Sequence, residues 1–222
     1  MNRMVSEMSK YLKPDLSKAA LITIDTQQDT LENQPFEIPG TSEILPNMVD
    51  LLKAFRIRGL TIVHIVRIYK RDGSNVDLCR RELIENGAQL LLSGSCGCQL
   101  AEVLLPKSES VLDTELLLGG GIQELGPNEV VIYKPRWGAF YATPLETYLR
   151  KHAVSTLIIS GCNFPNCPRT SVYEASERDF VIILVEDAVS GLYARGRDEI
   201  KGIGVAIQTT EELLSQLNRT LP

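Results

Sequence analysis

The stretch VSTLIISGCNFPNCPRTSVYEASERDFVIILVED, residues 154–187, opens and closes on apolar runs rich in β-branched residues, with a turn marked by glycine, proline and asparagine and then a helical pattern between them. Near-continuous apolarity is what a strand buried on both faces shows, and two such strands joined by a helix form the unit of a parallel sheet. The same short pattern recurs in AALITID (19–25), LTIVHIVRI (60–68) and EVVIYK (129–134), with a shorter candidate in VAIQT (205–209). Helical patterns fill the gaps: TSEILPNMVDLLKAFRIRG (41–59), with a capping signal at Thr41 or Ser42, then VDLCRRELIEN (76–86), TPLETYLRKH (143–152), PRTSVYEASERD (168–179) and TEELLSQLN (210–218). Alternation of this kind predicts one α/β domain over residues 1–222, a three-layer α/β/α arrangement around a central, mostly parallel sheet of about six strands, with about residues 1–17 as an N-terminal arm. Gly73 to Pro127 reads less clearly, as a helix mixed with loops.

Composition narrows the function classes. Acidic residues outnumber basic ones, 28 to 23, and the basic ones are scattered, so a nucleic-acid partner is not expected. No apolar stretch is long enough to span a bilayer and the opening residues lack a secretory pattern, so neither membrane nor export is expected. Five cysteines, an odd number in no disulfide-scaffold spacing, fit a reducing cytoplasm. Cys96 and Cys98 in GSCGC are too few for a closed zinc site, a thioredoxin-like Cys-x-x-Cys is absent, and LLLGGGIQ lacks the spacing of a dinucleotide-binding loop. No cofactor is expected.

In an open parallel sheet, reactive groups collect beyond the carboxyl ends of the strands. Those ends carry Asp25 in LITIDTQQD, Lys134 in YKPRWGAF, and Cys167 in the turn after LIISG. Singly, Asp25 reads equally well as a turn cap, Lys134 as a surface lysine and Cys167 as a buried apolar thiol. Jointly they supply a carboxylate, an ammonium and a nucleophile. Pro168 suits the first position of a helix, which makes Cys167 the expected N-cap, and a helix dipole of about 0.3–1 kcal/mol would lower its thiol by roughly one unit from about 8.5. Cys162, directly after Gly161, reads as structural. Gln27, Trp137, Phe140, Asn166 and Arg169 are the candidate substrate-binding residues, with Arg169 either clamping a carboxylate or pairing with a surface acid.

These three motifs, in this order and over about Ala19 to Leu217, resemble the isochorismatase-like cysteine hydrolases. The resemblance implies that Asp25 takes the proton of Cys167, that Lys134 holds both, and that Cys167 attacks the carbon of a small amide, ureido or lactam compound to give a thioester, releasing ammonia or an amine. It also implies an oxyanion hole from the backbone N–H groups of Asn163 and Cys167, a cis peptide between Cys162 and Asn163, and a homo-oligomer, dimer or tetramer. Relatives of the nicotinamidase type bind a metal through an aspartate and histidines; His64 sits inside an apolar run and RIYKRDGSNVD offers no histidine, so no metal is expected. Relatives that cleave an ether dispense with the cysteine, so Cys167 favours C–N cleavage. CPRT departs from the small aliphatic residue that usually follows the nucleophile. An ether hydrolase, a thiol-metal protein and a catalytically silent protein on the same fold are the alternative readings.

Overall fold

The computed structural model describes residues 9–220. Along the chain lie strands β1 (Ala19–Ile24), β2 (Thr61–Val66), β3 (Ile122–Gly126), β4 (Glu129–Tyr133), β5 (Thr156–Gly161), β6 (Val181–Val189) and β7 (Ala206–Gln208), and helices α1 (Leu45–Ile57), α2 (Leu78–Glu85), α3 (Thr114–Leu118), α4 (Leu145–Lys151), α5 (Cys167–Ser176), α6 (Ala194–Gly202) and α7 (Thr210–Thr220). They form one sheet in the order β3-β4-β2-β1-β5-β6-β7, parallel except where β3 pairs antiparallel with β4.

The continuous apolarity of the strands has a simple cause. Successive side chains of a strand point to opposite faces, and in β1 Ala20, Ile22 and Ile24 enter a core with Leu145 and Leu149 of α4 and Val172 and Ala175 of α5. Ala19 and Leu21 enter a second core with Met48, Leu51, Leu52 and Phe55 of α1 and Leu213 and Leu217 of α7. Helices therefore cover both faces, and the three-layer expectation holds.

Several details differ from the sequence reading, which marks neither α3 nor α6. The sheet has a seventh strand, β3, which turns into β4 through Pro127 and Asn128, the latter at φ 56°; its residues are only half-buried or exposed, which is why no apolar run marked it. Helix α1 begins at Leu45 rather than after Thr41 or Ser42, with Pro46 in its first turn. The hydroxyls that looked like caps serve tertiary contacts instead: Thr41 lies buried 3.4 Å from the Ser190 hydroxyl, and Ser42 accepts from the Glu32 N–H. Of the expected arm, residues 1–8 lie outside the described residues, while Leu16 is buried and the Asp15 N–H donates to Thr156.

Chain order and sheet order together place the site. From β1 the chain steps outward to β2 and β4, then crosses back to β5 on the other side of β1 and continues to β6 and β7. Beyond the carboxyl ends of β1 and β5 the connections diverge, and such a switch point opens a crevice. Gly161, ending β5 at φ 110°, is required there: a Cβ would lie 2.3 Å from the Ile24 carbonyl oxygen.

Within the sheet, a polar thread ties three strands to α1. Glu129 accepts from Arg56 Nε and Nη2 at 2.8 and 2.7 Å and from His64 Nε2 at 2.9 Å, while His64 Nδ1 faces the Thr23 hydroxyl at 2.7 Å. Burial alone would push the Glu129 carboxyl up, but the hydrogen bonds from Arg56 and His64 override it and hold the group at about 2, against 4.5 for a free glutamate. A carboxyl depressed in the folded state contributes stability above its unfolded pKa and loses it as pH falls through the folded one. Urea unfolding should therefore show a loss between about pH 4.5 and 2. Glu129→Gln, less stable at neutral pH, should lack that loss, which amounts to roughly 3 kcal/mol across the window in the native protein; an equal loss in both proteins would contradict the assignment.

Candidate active site

Three strand ends deliver three groups to the crevice. Asp25 follows β1 in a left-handed conformation, φ 49°, and its N–H donates to the Ile65 carbonyl of β2. Lys134 follows β4, and its N–H donates to the Val66 carbonyl of the same strand. Because β2 lies between β1 and β4 and fixes both backbones, the two side chains converge: Lys134 Nζ lies 2.8 Å from Asp25 Oδ2. The ammonium is fully buried and donates further to the Arg136 carbonyl at 3.1 Å and to Cys167 Sγ at 3.2 Å.

Cys167 arrives from the other side of β1. After Gly161 the chain makes a tight turn in which the Phe164 N–H donates to the Ser190 carbonyl and the Asn166 N–H to the Asn163 carbonyl. Helix α5 then starts at Cys167 itself, with Asn166 in the cap position and Pro168 second. This corrects the expected N-cap by one residue. Cys167 is in the first turn, where the backbone N–H has no intrahelical acceptor. Among the described residues, the N–H groups of Asn163 and Cys167 donate to no other group of the chain. The Cys162–Asn163 peptide is trans, so the cis bond implied by the resemblance is absent.

The electrostatics also correct the sequence reading. Burial pushes the Cys167 thiol up to about 11, the negative charge of Asp25 adds to the rise, and Lys134 opposes it. A helix dipole of about 0.3–1 kcal/mol is too small to reverse that balance. At neutral pH Cys167 is therefore held as a thiol. Cys162 is raised still further, to about 12, mainly by burial, with contacts to Thr41 and Ser190 opposing.

Asp25, Cys162 and Cys167, though not Lys134, line a cavity of about 240 Å³, roughly eight water volumes and smaller than a typical drug-sized pocket. Asp25, Cys162, Asn163 and Cys167 lie at its base, and Trp137, Phe36, Ile38 and Leu91 among its walls. Of the five expected substrate-binding residues, Trp137 and Asn166 line it. The other three do not. Gln27 is fully buried as a strap, its amide nitrogen donating to the Arg67 and Cys98 carbonyls at 2.9 and 2.6 Å and its oxygen accepting from the Arg67 N–H at 2.8 Å. Phe140 packs in the core with its ring 5.8 Å from that of Phe180. Arg169 pairs with Glu199 at 2.5 Å and with the Tyr193 hydroxyl, on the outer side of α5.

The structure adds Arg67 and Arg80 to the wall. Arg67 stands at the tip of β2, where the strand-end rule that selected Asp25 and Lys134 could have found it; it was read instead as interior to LTIVHIVRI. The GSCGC segment holds free thiols, Cys96 exposed and Cys98 buried against the Ser95 carbonyl, and among the described residues no three His, Cys, Asp or Glu side chains cluster as a metal site. No described helix is long and apolar enough to cross a membrane.

Known proteins resemble this chain in sequence and in fold. The model of the isochorismatase domain matches residues 19–115 and 120–212. A probable inactive nicotinamidase of Arabidopsis thaliana is 27% identical over 205 residues, spanning 89% of this chain and 95% of its own. N-carbamoylsarcosine amidase of an Arthrobacter species is 26% identical over 210 residues, 91% of this chain and 72% of its own. The crystal structure of an isochorismatase family protein from Desulfovibrio vulgaris superposes with a TM-score of 0.76 at 27% identity, covering 91% of this chain and 99% of the other.

The raised thiol has a measurable consequence. Brief iodoacetamide treatment at pH 7.5 should label the exposed Cys79 and Cys96 first and leave Cys167 largely unmodified, with Cys167 labelling rising steeply toward pH 11. Preferential labelling of Cys167 at neutral pH, read by peptide mass spectrometry, would contradict the buried-thiol assignment.

Proposed function

The chain belongs to the isochorismatase family, and from that premise we propose that it hydrolyses a C–N bond of a small amide, ureido or lactam compound, with Cys167 as nucleophile. The observation that carries this reading is the contact of one buried ammonium, Lys134, with both Asp25 at 2.8 Å and Cys167 at 3.2 Å, two residues that line a small cavity. A thiol, a base and a fixed positive charge are the parts needed for covalent acyl transfer.

The energetics select the order of events. Forming free thiolate at pH 7 from a thiol near 11 would cost roughly 5 kcal/mol, at about 1.36 kcal/mol per unit. Transfer of the Cys167 proton to Asp25 during attack avoids that cost, which is general base catalysis. The Sγ–C bond forms, the carbonyl π electrons move to oxygen, and the unpartnered N–H groups of Asn163 and Cys167 are the available donors for that oxyanion. Asp25 returns its proton to the leaving nitrogen as the C–N bond breaks, giving a Cys167 thioester and an amine or ammonia. Water, losing a proton to Asp25, attacks the thioester, and collapse releases the acid while the thiol regains its proton. Lys134 keeps its charge throughout and prevents Asp25 from wandering.

Support from the relatives is at the level of reaction type: one is named an amidase of an N-carbamoyl compound. Another is named a probable inactive nicotinamidase, and on that ground a silent protein is the second reading. Ammonia release from a panel of small primary amides and ureides, with ring opening of lactams followed by mass spectrometry, separates the two. Native protein should turn over at least one class, and Cys167→Ala should lower the rate by at least about a thousandfold. Silence of the native protein across the panel favours the second reading, and activity retained by Cys167→Ala sinks the first.

A further inference from the structure

Arg67 is 1% exposed, yet its Nε and Nη2 have no hydrogen-bond partner among the described residues. Unpaired buried donors are rare and costly, and each calls for an explanation. The remaining nitrogen explains how the side chain is held: Nη1 donates to Asp77 Oδ2 at 2.6 Å and to the Pro135 carbonyl at 3.1 Å. Tyr69 at 2.7 Å and Arg80 at 3.3 Å donate to the same Asp77 oxygen, and the Trp137 ring lies 5.7 Å from the Arg67 guanidinium carbon. Arg67 is thus immobilised through one corner. The two nitrogens left over are those on one edge of the guanidinium, whose N–H bonds run parallel and match the two oxygens of a carboxylate.

Local charge points the same way. Asp77 is approached by three guanidinium groups, Arg67, Arg80 and Arg136, at 2.6, 3.3 and 3.9 Å. Asp25 and Lys134 cancel one another. Glu37 also lines the cavity, so its lining side chains Arg67, Arg80, Asp25 and Glu37 balance, and the remaining positive charge comes from Arg136 beside Asp77, outside the lining. Arg67 and Asp25 line the same cavity, and Asp25 Oδ1 is likewise without a hydrogen-bond partner. An occupant that complements both carries an N–H near Asp25 and an anionic, planar, two-oxygen group at Arg67.

We propose that Arg67 is the substrate's anion-recognising residue, held in place by Asp77 and Tyr69, and that the substrate is a small amide or ureide bearing a carboxylate. The proposal rests on the cavity being the reaction site, and it names the substrate class within that reading. No bond is made or broken at Arg67; its role is binding and orientation.

The test uses N-carbamoylglycine and N-carbamoyl-β-alanine with their neutral methyl esters, titrated calorimetrically into Cys167→Ala protein, with ammonia release from native protein measured in parallel. At least one acid should bind about tenfold to a hundredfold more tightly than its ester, the span expected for losing a hydrogen-bonded charge pair. Arg67→Lys keeps the charge that Asp77 needs but lacks the fork, and should reduce that preference severalfold; Arg80→Gln, on a more exposed side chain, provides a second variant should Arg67→Lys fail to fold, and should also diminish the preference. Equal affinities of acid and ester, or no binding of either acid, would overturn the proposal. Preferential binding of the acids without ammonia release by native protein would uphold anion recognition and defeat the hydrolase reading alone.

Discussion

A lysine ammonium with no exposure to water, 2.8 Å from a carboxylate and 3.2 Å from a thiol, governs the arrangement around it. Removing such a charge from water costs several kcal/mol unless its partners are well placed. Lys134 meets that condition because its partners are set by the sheet rather than by flexible loops: Asp25 and Lys134 each hang from β2 by a backbone hydrogen bond, and Cys167 opens a helix packed on the same sheet. The left-handed Asp25 and the glycine at 161 are the local backbone requirements of that convergence. Both lie where the strand connections diverge, the place a parallel sheet leaves open for chemistry.

The same pair explains why a raised thiol pKa is compatible with nucleophilic work. Asp25 disfavours a second negative charge beside it, so the resting state is carboxylate plus thiol, and the lysine stabilises one negative charge wherever it sits. Shifting the proton from sulfur to carboxylate moves that charge without creating another. A small cavity walled in part by Phe36, Ile38, Leu90, Leu91 and Trp137 strengthens each of these interactions relative to water. The cost of this design is that every polar group at the wall must have a purpose, which is what makes the unused edge of Arg67 informative.

Much of the fold was legible because each central strand feeds two cores and so reads as an unbroken apolar run, as β1 does with alternate residues in opposite layers. β3 was not legible, since a half-exposed edge strand has no such run. Asp25, Lys134 and Cys167 stood out as charged or nucleophilic residues ending apolar strands, a signal that is local in sequence. The wall was harder. Gln27, Phe140 and Arg169 lie near Asp25, Lys134 and Cys167 along the chain, yet their side chains face a strand-end strap, the core and Glu199. Asp77 and Arg80 come from α2 and the loop before it, and only the folded sheet brings them to Arg67. The thiol's direction of shift was misjudged because the dipole is visible in a sequence and the depth of burial is not.

The account turns on Cys167 becoming acylated. Native protein mixed with a turned-over amide, quenched in acid within milliseconds and digested, would be read by mass spectrometry for a hydroxylamine-sensitive adduct on the peptide containing Cys167. The account predicts a mass increase equal to the acyl portion, located on Cys167 rather than Cys162, decaying at a rate consistent with turnover. Steady turnover with Cys167 unmodified at every time point, or an adduct carried by Cys162, would contradict it.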